Sequence, residues 1–169
     1  MPANAMNSRA SWKAIQMRAR DQIDWRCQRP GGTGSAARVY CGALLNARRL
    51  AEHIAAEHPR ETVLLLCSGS GNNFNFEDFY GAGCLVEHLV GLAGGAADLS
   101  DAAKAARAVC RHARAPEALL ECRVGRMMVA RGLRHEVEFA CRLDSLPVVA
   151  AFEQGRVRLL SDSARARAR

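Results

Sequence analysis

"ARVYCGALLNARRLAEHIAAEHPRETVLLLCS", residues 37–68, decides how this chain is expected to fold. It begins with a short apolar, β-favouring run, "ARVYCGAL", which predicts a buried strand. Asn46 then stands as an N-cap. Behind it Leu50, Ile54 and the alanines recur at helical spacing, and Pro59 stops the helix. "TVLLLCS" is continuous in apolar residues, the pattern of a strand covered on both faces. Strand, helix and strand within about thirty residues predict a βαβ unit with a right-handed crossover. The expected class is therefore α/β, a small mostly parallel sheet built from βαβ units with additional C-terminal helices.

Downstream, a loop over 68–74 leads into a helix from about 75 to 93, with Phe76, Phe79, Tyr80, Gly83, Leu85, Val86 and Leu89 on its apolar side. "GLAGGAADLS" is a break, and Ser100 N-caps "DAAKAARAVCRHAR", with Asp101 at its positive end. "PEALLECRVGRMMVARG" predicts two short helices hinged near Gly125, and "LRHEVEFACRLD" another helix. "PVVAAFEQGRVRLL" predicts two short strands around a Gln154-Gly155 turn. Upstream, residues 1–36 carry no clean period, and a weak helix is expected around 10–23. The domain organisation expected is a poorly defined extension over 1–36, one α/β domain over 37–160, and a disordered basic tail over 161–169.

Composition narrows the function classes. At 169 residues and 49% apolar, the chain has material for one domain with a sizeable core. The net charge of +7 is concentrated in residues 1–60 and in the closing "RVRLLSDSARARAR". A basic tail attracts nucleic acid non-specifically, but aromatics at 5% offer little for base stacking. No specific nucleic-acid partner and no membrane are expected. The seven cysteines include no C-x-x-C pair and no zinc spacing, and those in apolar or helical runs (Cys67, Cys84, Cys141) behave as small hydrophobes. With no signal-peptide pattern in residues 1–20, a reducing cytoplasm is the compartment predicted.

The chemistry converges on "CSGSGNNFNFED", residues 67–78. Ligands of open α/β sheets sit beyond the carboxyl ends of strands. Gly69 and Gly71 let backbone N–H groups approach an oxyanion, Ser68 and Ser70 add hydroxyls, and a helix start follows. Glu77 and Asp78 allow two explanations. As first-turn acids they stabilise the helix, with Asn75 as N-cap and Asp78 at N3 of an approximate capping box. As functional acids, one carboxylate faces the pocket and holds Mg²⁺ beside a phosphate. A Walker A loop is disfavoured because Asn72 and Asn73 stand where a Lys is needed. His53, His58, His88, His112 and His135 make no i, i+4 pair, and Cys67 reads as a packed strand residue rather than an activated thiolate.

With these residues in place, the chain resembles the 2-phosphosulfolactate phosphatase family. "VYCGALLNARRLAEHI", "VLLLCSGSGNNFNFEDFYGAGCLVEHL" and the stretch from "DAAKAARAV" through "GRMMVARGLRHEVEFACRLDSLPVVAAF" carry the likeness, over about residues 37–160. Asn46, Gly69, Glu77, Asp78, Gly83 and Asp144 sit on family-like positions. The resemblance implies a Mg²⁺-dependent phosphoric monoester hydrolase tied to coenzyme M biosynthesis, acting on 2-phosphosulfolactate or a similar small acidic phosphate monoester. It implies Glu77 and Asp78 as catalytic and metal-binding acids, and Asn46, Ser68, Gly69, Ser70 and Gly71 as substrate-binding residues. The family's N-terminal strand-turn and loop motifs are not found in this chain. The alternative is a truncated, non-catalytic remnant or small-anion-binding domain, with a homodimer compatible with either reading.

Overall fold

The computed structural model describes the backbone of residues 15–19 and residues 38–70, 73–94 and 97–160. The basic tail, most of the 1–36 extension and Gly71 lie outside the described residues. In chain order the elements are β1 (Ile15–Ala19), β2 (Tyr40–Cys41), a 3₁₀ turn (Leu44–Asn46), α1 (Ala47–Glu57), β3 (Val63–Cys67), α2 (Phe76–Leu92), α3 (Asp101–His112), α4 (Glu117–Glu121), α5 (Arg123–Ala130), α6 (Arg134–Ala140), β4 (Val149–Glu153) and β5 (Arg156–Leu160).

The helices stand close to where the periodicity put them, and the sheet does not. The fold is a mixed, mostly helical α/β arrangement with a small antiparallel sheet of order β2-β4-β5. The parallel βαβ sheet expected from residues 37–68 does not form, because β2 and β3 belong to different sheets. Two local features account for this. The chain turns into the 3₁₀ helix after Cys41, so β2 is only two residues long and pairs antiparallel with β4. The β4–β5 hairpin forms locally across Gln154-Gly155, whose φ values of 51° and 78° suit a tight two-residue turn. Among the described residues parallel pairing is confined to β1 against β3, so residues 15–19 are a strand where a weak helix is expected.

Helix α2 is the centre of the core. It is apolar on most sides, as a helix buried among others must be. Leu85, Val86, Leu89 and Val90 of α2 pack with Leu50, Ala51 and Ile54 of α1, Leu65 of β3, Ala103 of α3 and Val149 of β4. A second cluster joins Tyr80 and Cys84 to Leu44 and Leu119. Gly83 lets α3 approach: a Cβ there would overlap the Ala106 carbonyl, 2.5 Å from its carbon and 3.2 Å from Arg107 N. At this crossing Cys84 and Cys110 form a disulfide, where the sequence treats Cys84 as a reduced packing residue. Among the described residues no helix is long and apolar enough to cross a membrane.

Asn46 and Asp144 exchange the roles their positions suggest. Asn46 occupies the N-cap position of α1, yet its side chain makes no capping bond. Its buried amide instead accepts from Ala43 N at 2.8 Å and donates to the Cys41 and Val148 carbonyls at 3.2 and 3.3 Å. The cap comes from Asp144, ninety-six positions along the chain: its Oδ1 accepts from Arg48 N at 2.8 Å, inside the first turn of α1. Asp144 Oδ2 also meets Arg48 Nε at 3.2 Å and His88 Nε2 at 3.1 Å.

Candidate functional site

Strand β3 delivers the chain into the loop 68–75, and the carboxylate of Asp78 returns from the first turn of α2 to hold that loop. Asp78 Oδ2 accepts from Gly69 N at 2.7 Å and from Ser68 Oγ at 3.4 Å. Gly69 has φ +63°, a left-handed conformation that glycine adopts without penalty. The N–H that the sequence offers to a bound oxyanion is thus already donated to Asp78. Asn75 precedes α2 as expected, but its side chain makes no capping bond, and Asp78 serves the loop rather than a capping box.

Glu77 faces another way. It lines an open cleft of about 590 Å³, together with Asn73, Phe74, Asn75, Phe76 and, from the other wall, Ala118, Glu121, Cys122 and Arg123. The single S–H of Cys122 is shared between two acceptors, Glu77 Oε2 at 3.4 Å and the Leu119 carbonyl at 3.0 Å, while the sulfur accepts from Gly125 N at 3.3 Å. Burial, followed by the Glu77 carboxylate, pushes the Cys122 thiol above its ordinary range. A sulfur held protonated in this way suits a donor to Glu77 better than a nucleophile. Gly125 lies inside α5 against the Leu119 carbonyl, so the break between α4 and α5 falls at Cys122 rather than at the glycine.

Three polar side chains, Ser70, Asn75 and Arg123, form a hydrogen-bonded triangle. Arg123 Nη2 donates to Ser70 Oγ and to Asn75 Oδ1, both at 2.6 Å, and Ser70 Oγ donates to Asn75 Oδ1 at 3.2 Å. Phe74 is 69% exposed and leans on Phe79, ring centroids 5.3 Å apart.

Of the expected site residues, Ser68 and Gly69 both donate to Asp78, Ser70 joins Arg123 and Asn75, and Glu77 lines the cleft. Asn46 spends its amide on backbone groups within the fold. Sequence reasoning missed Glu121, Cys122 and Arg123. Their one signal was position, at the junction of two short helices, because nothing local shows which way such a junction faces. Among the described residues no three His, Cys, Asp or Glu side chains are grouped to hold a metal ion. Mg²⁺ needs no such cage, since one or two carboxylates plus a substrate phosphate suffice. Glu77 and Glu121 in the cleft lining fit that limited donor set.

Cys67 ends β3 beneath the loop. Burial, and then the nearby Asp78 carboxylate, raise its thiol from the ordinary 9.0 to about 11. This agrees with a packed strand residue and removes the activated thiolate. Held in its protonated form, the thiol stabilises the fold fully below pH 9.0, and that contribution is lost as pH rises toward about 11. Iodoacetamide labelling of Cys67 in the folded chain is expected to quicken about tenfold per pH unit up to that value. Peptide mass spectrometry reads it, and a plateau below pH 9 would contradict the assignment.

The family profile described as 2-phosphosulpholactate phosphatase matches residues 32–155. The probable 2-phosphosulfolactate phosphatase of Deinococcus radiodurans is 29% identical over 122 residues, 72% of this chain and 50% of that protein. That of Symbiobacterium thermophilum is 28% identical over 127 residues, 74% of this chain and 53% of that protein. That of Carboxydothermus hydrogenoformans is 28% identical over 131 residues, 78% and 53% respectively. The chain thus spans about half the length of these relatives. With nearly three quarters of its residues inside the profile, it belongs to the 2-phosphosulpholactate phosphatase family.

Proposed function

We propose that this chain supplies the cleft in which a small acidic phosphate monoester of the 2-phosphosulfolactate type is hydrolysed with Mg²⁺. The observation that carries the proposal is Glu77: an acid on a family-like position, set beside a shaped glycine loop, and lining an open cleft. In this hydrolysis a water oxygen bonds to phosphorus, the P–O bond to the alcohol breaks, and the alcohol leaves with a proton. Bound Mg²⁺ would polarise a phosphoryl oxygen and acidify a water. The chain's own residues do the rest. Glu77, with Glu121, offers carboxylate oxygen to the ion. Asp78 fixes Gly69 and Ser68 so that the loop keeps its shape when substrate enters. Phe74 and Phe76 give the cleft apolar surface that limits water.

Phosphate release by the full chain, assayed with 2-phosphosulfolactate with and without Mg²⁺, tests this. Release that requires Mg²⁺ and disappears with EDTA is expected. Binding of inorganic phosphate without turnover of the ester would instead favour the anion-binding domain.

A further inference from the structure

We infer that Arg123 seats a tetrahedral oxyanion of the substrate, a phosphoryl or sulfonate group, and so sets affinity in the cleft; this rests on the function proposed above. Most arginines paired in the fold are neutralised by a carboxylate: Arg48 by Asp144 at 3.2 Å, Arg107 by Glu87 at 2.5 Å and Arg134 by Glu138 at 2.8 Å. Arg123 is held differently. Its two partners, Ser70 Oγ and Asn75 Oδ1, are neutral. Glu77 and Glu121 share the cleft lining with it, yet neither forms an ion pair with it among the described residues. Arg123 therefore brings its charge to an open cleft without a direct carboxylate partner among the described residues.

Both bonds come from Nη2, which leaves the Nη1 and Nε donors without a partner among the described residues. Arginine matches oxyanions through several N–H groups at once, and charge-assisted bonds of this kind are about twice as strong as neutral ones. The side chain is also ordered before any ligand arrives, because the triangle with Ser70 and Asn75 holds it. Less rotamer freedom then remains to be lost on binding. A cleft of about 590 Å³ accommodates a small ester beside it.

The competing role is a strut that merely ties α5 to the loop, so the test separates charge from scaffolding. Calorimetry on the full chain, Arg123→Gln and Arg123→Lys uses inorganic phosphate and methanesulfonate as probes, alongside thermal melting. Arg123→Gln is expected to weaken one or both anions at least about tenfold, with Arg123→Lys recovering part of the loss. The anion whose binding depends on Arg123 identifies the group seated there. Wild type that binds neither anion overturns the inference, as does Arg123→Gln that binds both unchanged, whether or not its melting point falls. Ester turnover absent in a wild type that binds phosphate through Arg123 would instead sink the proposed hydrolysis and leave the anion seat standing.

Discussion

Alanine in place of Gly83 is expected to lower the unfolding midpoint by roughly 10 °C or to prevent folding outright. The added Cβ would overlap the Ala106 carbonyl and lie 2.5 Å from its carbon. Backbone cannot rotate aside as a flexible side chain does. Relief requires α3 to move away from α2, and Leu85, Val86, Leu89 and Ala103 share one packed cluster around that crossing. Overpacking of this kind costs about 1–3 kcal/mol, with backbone clashes at or above the upper end. Gly81 provides the control. It lies in the same helix and a Cβ there meets nothing within 4 Å. Gly81→Ala should therefore raise stability by about 0.5–1 kcal/mol through helix propensity. Urea unfolding of the two variants measures the contrast. Equal effects would mean that α2 and α3 do not meet at Gly83.

Glu77→Gln is expected to reduce phosphate release by about a hundredfold or more, whereas Asp78→Asn should cost less than about tenfold. The two adjacent acids differ in what they touch. Glu77 lines the cleft, and its amide analogue loses the charge that the proposed ion needs. Asp78 accepts hydrogen bonds from Gly69 N and Ser68 Oγ, and an asparagine carbonyl oxygen accepts them as well. Asp78→Ala removes the acceptor altogether. It should lose more activity than Asp78→Asn, together with about 1–2 kcal/mol of stability. Rates at saturating substrate and urea midpoints for the four proteins check the order. A larger loss in Asp78→Asn than in Glu77→Gln would place Asp78 at the reacting phosphoryl and reverse the assignment.

The sequence announced its helices more clearly than its sheet, for physical reasons. Helices are specified within a few turns. Ser100 could be named as the cap of α3 because its hydroxyl accepts from Ala103 N, three residues away, at 3.3 Å. Strand partners are chosen over long distances. "VLLLC" suits a strand, but nothing in those letters says whether β2 or β1 lies beside it. The site divides in the same way. The glycine loop and its two acids were visible as one continuous stretch. Arg123 was not, because it reaches Ser70 across fifty-three positions and belongs to another wall of the cleft. Asn46 misled for a related reason. Its identity and place suit a cap, and only the arrival of Val148 shows why its amide turns elsewhere.

Asp144 has a consequence for how this polypeptide matures. The group that satisfies the first turn of α1 is encoded ninety-six positions later. A ribosome therefore releases α1 well before its terminal amide can be satisfied from within the molecule. Until Asp144 emerges, that end stays open to solvent or to a chaperone. A nascent product halted before Asp144 would lack both this tether and the Val148 carbonyl that anchors Asn46, and would be a target for proteolysis.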